Sequence, residues 1–286
     1  MPSPLKALWQ RWRRPPAMQP RLLILGAQKA GTTTLFDMLD GVGPFKGSTT
    51  KEVGFFSKDL FFNKGMDWYG EHFAQAGTSG IGFEATPEYL YYDFVARRIQ
   101  EHLPQARFVV LLREPAARCL SAWNMFRSFN QHQPQAIYDH FTQWSNPDVR
   151  ETMRQLLFTS EFPSFEQSVD TELAAMADPS AVSEPSFVRR GLYADQIDRY
   201  LKLFDRNRFL FLEQRELNEP RMVADAIGSL MDVRIDPQAL KVQASNQGDY
   251  GRPDAAVDAT MARLRDFYRP HNERLFQIIG RRFDWS

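Results

Sequence analysis

The chain has almost no cysteine. Cys119 is the single one among 286 residues, so no intramolecular disulfide can form, and the composition fits a reducing, cytoplasmic setting. Net charge is also missing, since 35 Lys and Arg balance 35 Asp and Glu. That balance argues against nonspecific nucleic-acid binding and, less strongly, against a polyanionic substrate. A local basic groove remains compatible with it. No apolar run approaches the ~18 residues that a membrane span needs, and no signal-peptide core is visible. No Gly/Ser-rich or Pro-rich linker divides the sequence, and it has no internal repeat. The expectation is a single domain over residues 21–286, preceded by a basic extension over 1–20.

What is present is ample apolar material, with a hydrophobic share of 43% and 23 Phe. The first twenty residues are of another kind. Leu5, Leu8, Trp9 and Trp12 lie beside Lys6, Arg11, Arg13 and Arg14. Residues 1–14 could form a basic amphipathic turn that touches a membrane surface, or a frayed terminus.

The most informative stretch is LLILGAQKAGTTTLFDML, Leu22 to Leu39. Leu22–Leu25 is a short buried-strand run, and Leu35, Met38 and Leu39 recur at helical spacing. Between them Gly26 to Gly31 forms a tight turn. Strand, glycine turn and helix start together make an anion cradle of inward backbone N–H groups at a positive helix end. A nucleotide triphosphatase loop reads G-x-x-x-x-G-K-[ST]. Here Thr32 stands where the lysine belongs, and the lysine is Lys29, two residues before the second glycine. The cradle suits a phosphate-like group whose cation arrives from another side.

Strands alternate with helices along the rest of the chain. GIGFE (80–84), RFVVLL (107–112) and RFLFL (208–212) read as strands. Helices are expected over 88–102, from Pro115 to about Phe129, around Tyr193–Phe204, over 221–231 and from Val257 onward, ended or kinked at Pro270. Residues 57–79 look irregular, and 130–190 read as a lid or substrate-contact insertion. The pattern implies an α/β, P-loop-containing three-layer fold with a central, mainly parallel sheet flanked by helices.

The second chemical segment is REPAARCLSAW, Arg113 to Trp123. It follows the strongest strand, and ligands of open α/β sheets lie beyond the carboxyl ends of strands. Arg113 suits a phosphate by charge and fork geometry. Ser121, about two helical turns on, can add a hydroxyl. A metal-using nucleotide enzyme would place a carboxylate where Arg113 stands.

QKAGTTTL together with REPAARCLSAW resembles the two cofactor signatures of the sulfotransferases that use 3′-phosphoadenosine 5′-phosphosulfate (PAPS). KEVGFF (51–56) and LRDFYRPHNERLFQIIGRRFDW (264–285) resemble the heparan-sulfate, carbohydrate-directed branch, in a soluble form of bacterial type. The resemblance implies metal-independent, in-line transfer of a sulfuryl group from PAPS, with PAP as the product, to a hydroxyl or amine of a glycan, lipid or small metabolite.

By the same resemblance Lys29, Ala30, Gly31, Thr32 and Thr33 hold the 5′-phosphate, and Lys29 neutralises the leaving oxygen. Arg113 and Ser121 hold the 3′-phosphate. Tyr193 and the loop Tyr250-Gly251-Arg252 flank the nucleotide, with Tyr250 where the branch has a lysine. The general base falls on Glu52. Glu84 is the second candidate, on the acceptor side with Phe56. Ala85 replaces a lysine that the branch carries after that glutamate. None of the five histidines sits in a convincing strand-end context. Two other readings stay open, a P-loop kinase or NTPase and a non-enzymatic nucleotide-binding protein.

Overall fold

A computed structural model describes residues 18–77, 79–141, 147–178, 184–242 and 255–285. The basic segment 1–14 and the loop Tyr250–Arg252 lie outside the described residues.

Among the described residues five strands form one parallel sheet. They are β1 (Leu22–Gly26), β2 (Phe45–Gly47), β3 (Ile81–Ala85), β4 (Arg107–Leu112) and β5 (Phe209–Glu213), in the order β2-β3-β1-β4-β5. Apart from the half-buried Arg107 at its start, the three inner strands are buried along their whole length. A strand covered on both faces reads as a continuous apolar run, which is why LLIL and FVVLL were plain in the sequence. The α/β, P-loop-type architecture expected from the alternation is the one observed.

The helices that matter for the site are α1 (Thr32–Leu39), α2 (Glu88–Tyr91), α3 (Val95–His102), α4 (Pro115–His132), α5 (Pro134–Phe141), α6 (Pro147–Leu157), α7 (Phe165–Ala175), α8 (Tyr193–Leu201), α9 (Pro220–Met231) and α10 (Ala255–Ile279). Two hydrophobic cores result among the described residues. The larger surrounds the sheet, with Phe36 against Phe83 at 5.0 Å and Phe108 against Phe204 at 4.7 Å between ring centroids. The smaller is built from α4, α6, α7 and α10 around Trp123, Phe126, Phe165 and Tyr268. Much of residues 130–190 thus packs as helices rather than as loop.

Three expectations about elements need correction. The helix over 88–102 is two helices, because the backbone is extended at Tyr92 (ψ 129°). Residues 59–62 and 65–71 are helical, held by aromatic packing such as Phe55 on Tyr69 at 4.5 Å. Pro270 neither ends nor breaks α10. A proline removes one helical hydrogen bond. Here the helix is fixed on both sides of it, Leu264 and Tyr268 lying in the smaller core and Leu275, Phe276 and Ile279 in the larger.

Candidate active site

β1 and β4 are parallel neighbours, so their carboxyl ends and following loops open on one edge. The glycine turn after β1 is tied to β4 by Ala27 N–H donating to Leu111 O at 2.6 Å. Gly31 then sits in the left-handed region (φ 93°) as the N-cap of α1, with no side chain capping the helix. The first-turn amides of Thr32 and Thr33 have no intrahelical acceptors. Ala30 differs, since its N–H donates to Ala27 O at 3.1 Å. The cradle therefore runs from Gly31 to Thr33, with Ala30 shaping the turn.

Lys29 also has positive φ (67°), a conformation that costs a non-glycine residue about 1 kcal/mol or more. Arg113 holds it there, with Nη1 donating to Lys29 O at 3.1 Å. The Tyr193 hydroxyl in turn donates to Arg113 O at 3.0 Å. One chain of contacts thus links the first turn of α8, the end of β4 and the turn after β1. Ser121 is buried on α4, on the same helix that Arg113 precedes. Burial, helped by the charges of Arg113 and then Arg118, lowers the Lys29 pKa, while Glu52 opposes the shift. Two cations beside a half-buried ammonium make a strongly anion-seeking edge.

Glu52 stands on the loop that follows β2. Its carboxylate is half exposed (52%) and accepts from Lys51 Nζ at 2.6 Å. Glu84 supports this loop from below. It has 0% exposure and accepts from the hydroxyls of Tyr69, Thr86 (2.6 Å) and Tyr89 (2.9 Å). Burial raises its pKa, while the hydroxyls and the Val53 N–H pull the other way. Above it Ala85 N–H donates to Lys51 O (3.3 Å) and Gly54 N–H to Thr86 Oγ1 (3.3 Å).

This geometry provides a helix-end cradle with Lys29, a second cationic station at Arg113, and an exposed carboxylate whose charge reaches Lys29. It can bind a doubly anionic ligand and take a proton beside it. Residues 19–243 match a family model described as "Sulfotransferase domain".

The chain belongs to that family. It is an enzyme of the transferase class that moves a sulfuryl group. Similar proteins include human heparan sulfate glucosamine 3-O-sulfotransferase 5, 23% identical over 93% of this chain and 74% of its own length. Human heparan sulfate glucosamine 3-O-sulfotransferase 6 is 27% identical over the same shares. A sulfotransferase structure from Alicyclobacillus acidocaldarius superposes with a TM-score of 0.63 at 22% identity. It covers 93% of this chain and 98% of that one, and it supports the fold.

In this sulfotransferase two acceptor-side assignments change. Glu84 and Phe56 are both completely buried, so neither offers surface to a ligand in this arrangement. They hold the Glu52 loop instead, with Phe56 N–H donating to Tyr89 Oη at 3.3 Å. Sequence reading also missed residues. Arg118 is fully buried, with Nε and Nη1 lacking hydrogen-bond partners among the described residues, and its charge acts on Lys29. Its place five residues after Arg113 was the available signal. Glu88 and His140 meet the turn just beyond Glu52, Glu88 accepting from the Ser57 hydroxyl at 3.1 Å and His140 lying 3.0 Å from the Lys58 ammonium, and no local pattern unites them.

Proposed function

We propose that this sulfotransferase takes its sulfuryl group from PAPS and passes it to a hydroxyl or amine of an acceptor, by in-line displacement with Glu52 as the base. The observation that carries this reading is the Arg113–Lys29 hydrogen bond. It holds the Arg113 guanidinium against the turn that carries Lys29, which supports a reading with two anion stations on one edge, one for each phosphate end of the nucleotide. The residues fit the cofactor: uncapped amides of Gly31–Thr33 for the 5′-phosphate, Arg113 and Ser121 for the 3′-phosphate, and Tyr193 behind Arg113. PAPS, when bound, supplies a sulfuryl group on a phosphate leaving group. Lys29 neutralises the charge that develops on that oxygen. Glu52 receives the acceptor proton, and its exposure keeps it open to substrate.

The relatives' names point to a glycan acceptor, and a heparan sulfate oligosaccharide is the first to test. Lipid and small-metabolite hydroxyls follow. Residues 21–286 act as one catalytic unit in the cytoplasm, with 130–190 against the acceptor, and no metal is required. Calorimetry with PAP, then radiolabelled PAPS with an acceptor panel and added EDTA, tests all of this. Glu52→Gln should keep PAP affinity and lose about 10²–10⁴-fold in turnover. Retained turnover would sink the base assignment. A magnesium requirement would favour the kinase reading instead.

A further inference from the structure

Lys58 is buried, with 4% exposure, and a buried charge needs a partner. Its ammonium lies 3.0 Å from Nε2 of His140. An ammonium is a donor only, so the imidazole nitrogen facing it bears no proton. The one proton of the neutral ring then resides on Nδ1.

The sequence explains how the pair meets. Ser57 and Lys58 N–H donate to Gly54 O at 3.2 and 3.1 Å, closing a turn two residues beyond Glu52. Gly54 has φ 68°, and a Cβ there would stand 3.3–3.5 Å from the Lys58 Cδ, Cε and Nζ atoms. The lysine therefore folds back over its own turn because residue 54 has no side chain. His140 arrives from the last turn of α5, 82 residues away in sequence, with its Nε2 side partly buried against Lys58 while the residue as a whole keeps solvent exposure. Burial, then the Lys58 charge, push its pKa down to about 4 against the pull of Glu52. It is neutral near pH 7. Because the Lys58 turn closes on Gly54, two residues after Glu52, the imidazole held by Lys58 stands beside the loop that carries Glu52.

We propose that His140 is an acceptor-binding residue whose Nδ1–H donates to a second oxygen of a polyhydroxylated acceptor while Glu52 takes the proton of the reacting hydroxyl. Lys58 is the positioning residue that fixes the tautomer. The acceptor class is a sugar-like polyol rather than an isolated alcohol. This rests on the Glu52 reading above.

Proton–nitrogen correlation of the histidine rings tests the tautomer in the full chain with no ligand present. His140 should show a protonated Nδ1 and a bare Nε2 down to about pH 5. Lys58→Met should abolish the pattern and return the ring toward the ordinary 6.5. A ring protonated on Nε2 in the natural protein overturns the proposal.

Kinetics with radiolabelled PAPS and methyl N-acetylglucosaminide as the acceptor probe separate binding from support. His140→Asn keeps a donor near the Nδ1 position but falls short of Lys58. His140→Gln reaches Lys58 and offers no Nδ1 donor. The glutamine variant should raise the probe KM about tenfold and the asparagine variant much less. The reverse order, or unchanged KM in both, overturns the proposal. PAP calorimetry on the natural protein reports the cofactor reading by itself. Failure there beside an intact His140 signature would sink the cofactor assignment alone.

Discussion

At the scale of the residue, the active edge depends on Lys29 being charged and in place. Its ammonium is half-buried beside two guanidinium groups, so its pKa lies below the ordinary 10.5. The sign follows directly. A lysine with a lowered pKa loses its proton sooner as the pH rises, and the neutral amine no longer attracts the phosphosulfate. PAP affinity should therefore fall as the pH climbs through that lowered value, before an exposed lysine would titrate. Lys29→Arg, which stays charged, should flatten the profile on the alkaline side, below the ordinary lysine value. Lys29→Ala should cost about 10²–10³-fold in turnover, as expected for one donor at a developing oxyanion. Calorimetry at several pH values checks the first expectation and steady-state kinetics the second. A flat natural profile would show that Lys29 is not the cation that titrates at this edge.

At the scale of the element, the turn between β1 and α1 carries the site through backbone geometry. Gly31 holds φ 93°, and a Cβ there would stand 2.9 Å from Leu217 Cδ1. Gly31→Ala should cost about 1–3 kcal/mol of stability, a fall in Tm of several degrees for a protein of this size. It should also weaken PAP binding by turning the first-turn amides away. Thermal denaturation with and without PAP separates the two effects.

The turn was legible because its chemistry is local. Gly26, Lys29, Gly31 and Thr32 lie within seven residues of one another. Arg113 and Ser121 share one strand-end segment for the same reason. Glu84 was not legible in its true place. A carboxylate after GIGF reads as a strand-end ligand group, and only the packing of Tyr69 and Tyr89 over it makes it interior. The same holds for His140, whose meaning depends on a lysine in another part of the chain. Pro270 misled because a sequence shows the lost N–H and not the two cores that hold α10 on both sides.

At the scale of the whole molecule, α10 is a wall of both cores, and its Tyr268 hydroxyl donates to Val188 O at 2.7 Å. Glu84 lies where β3, the aromatic cluster and the Glu52 loop meet, so its ionisation reports on the stability of the larger core. Burial raises its pKa in the folded protein above the ordinary 4.5. The folded state thus holds that proton more tightly than the unfolded chain does. The stabilisation from proton binding is complete below the unfolded value and is lost as the pH rises through the folded one. Glu84→Gln removes the titration while keeping an oxygen acceptor for the hydroxyl donors. The Tm difference favouring the natural protein should be largest near about pH 4.5 and should narrow, or change sign, toward pH 8. Calorimetric melting of both proteins across that range decides the matter. A gap that widens with pH would mean that the hydroxyls of Tyr69, Thr86 and Tyr89, with the Val53 amide, stabilise the carboxylate by more than burial penalises it. Glu84 would then be an anion held at the centre of the fold, and the loop that carries Glu52 would rest on a charge.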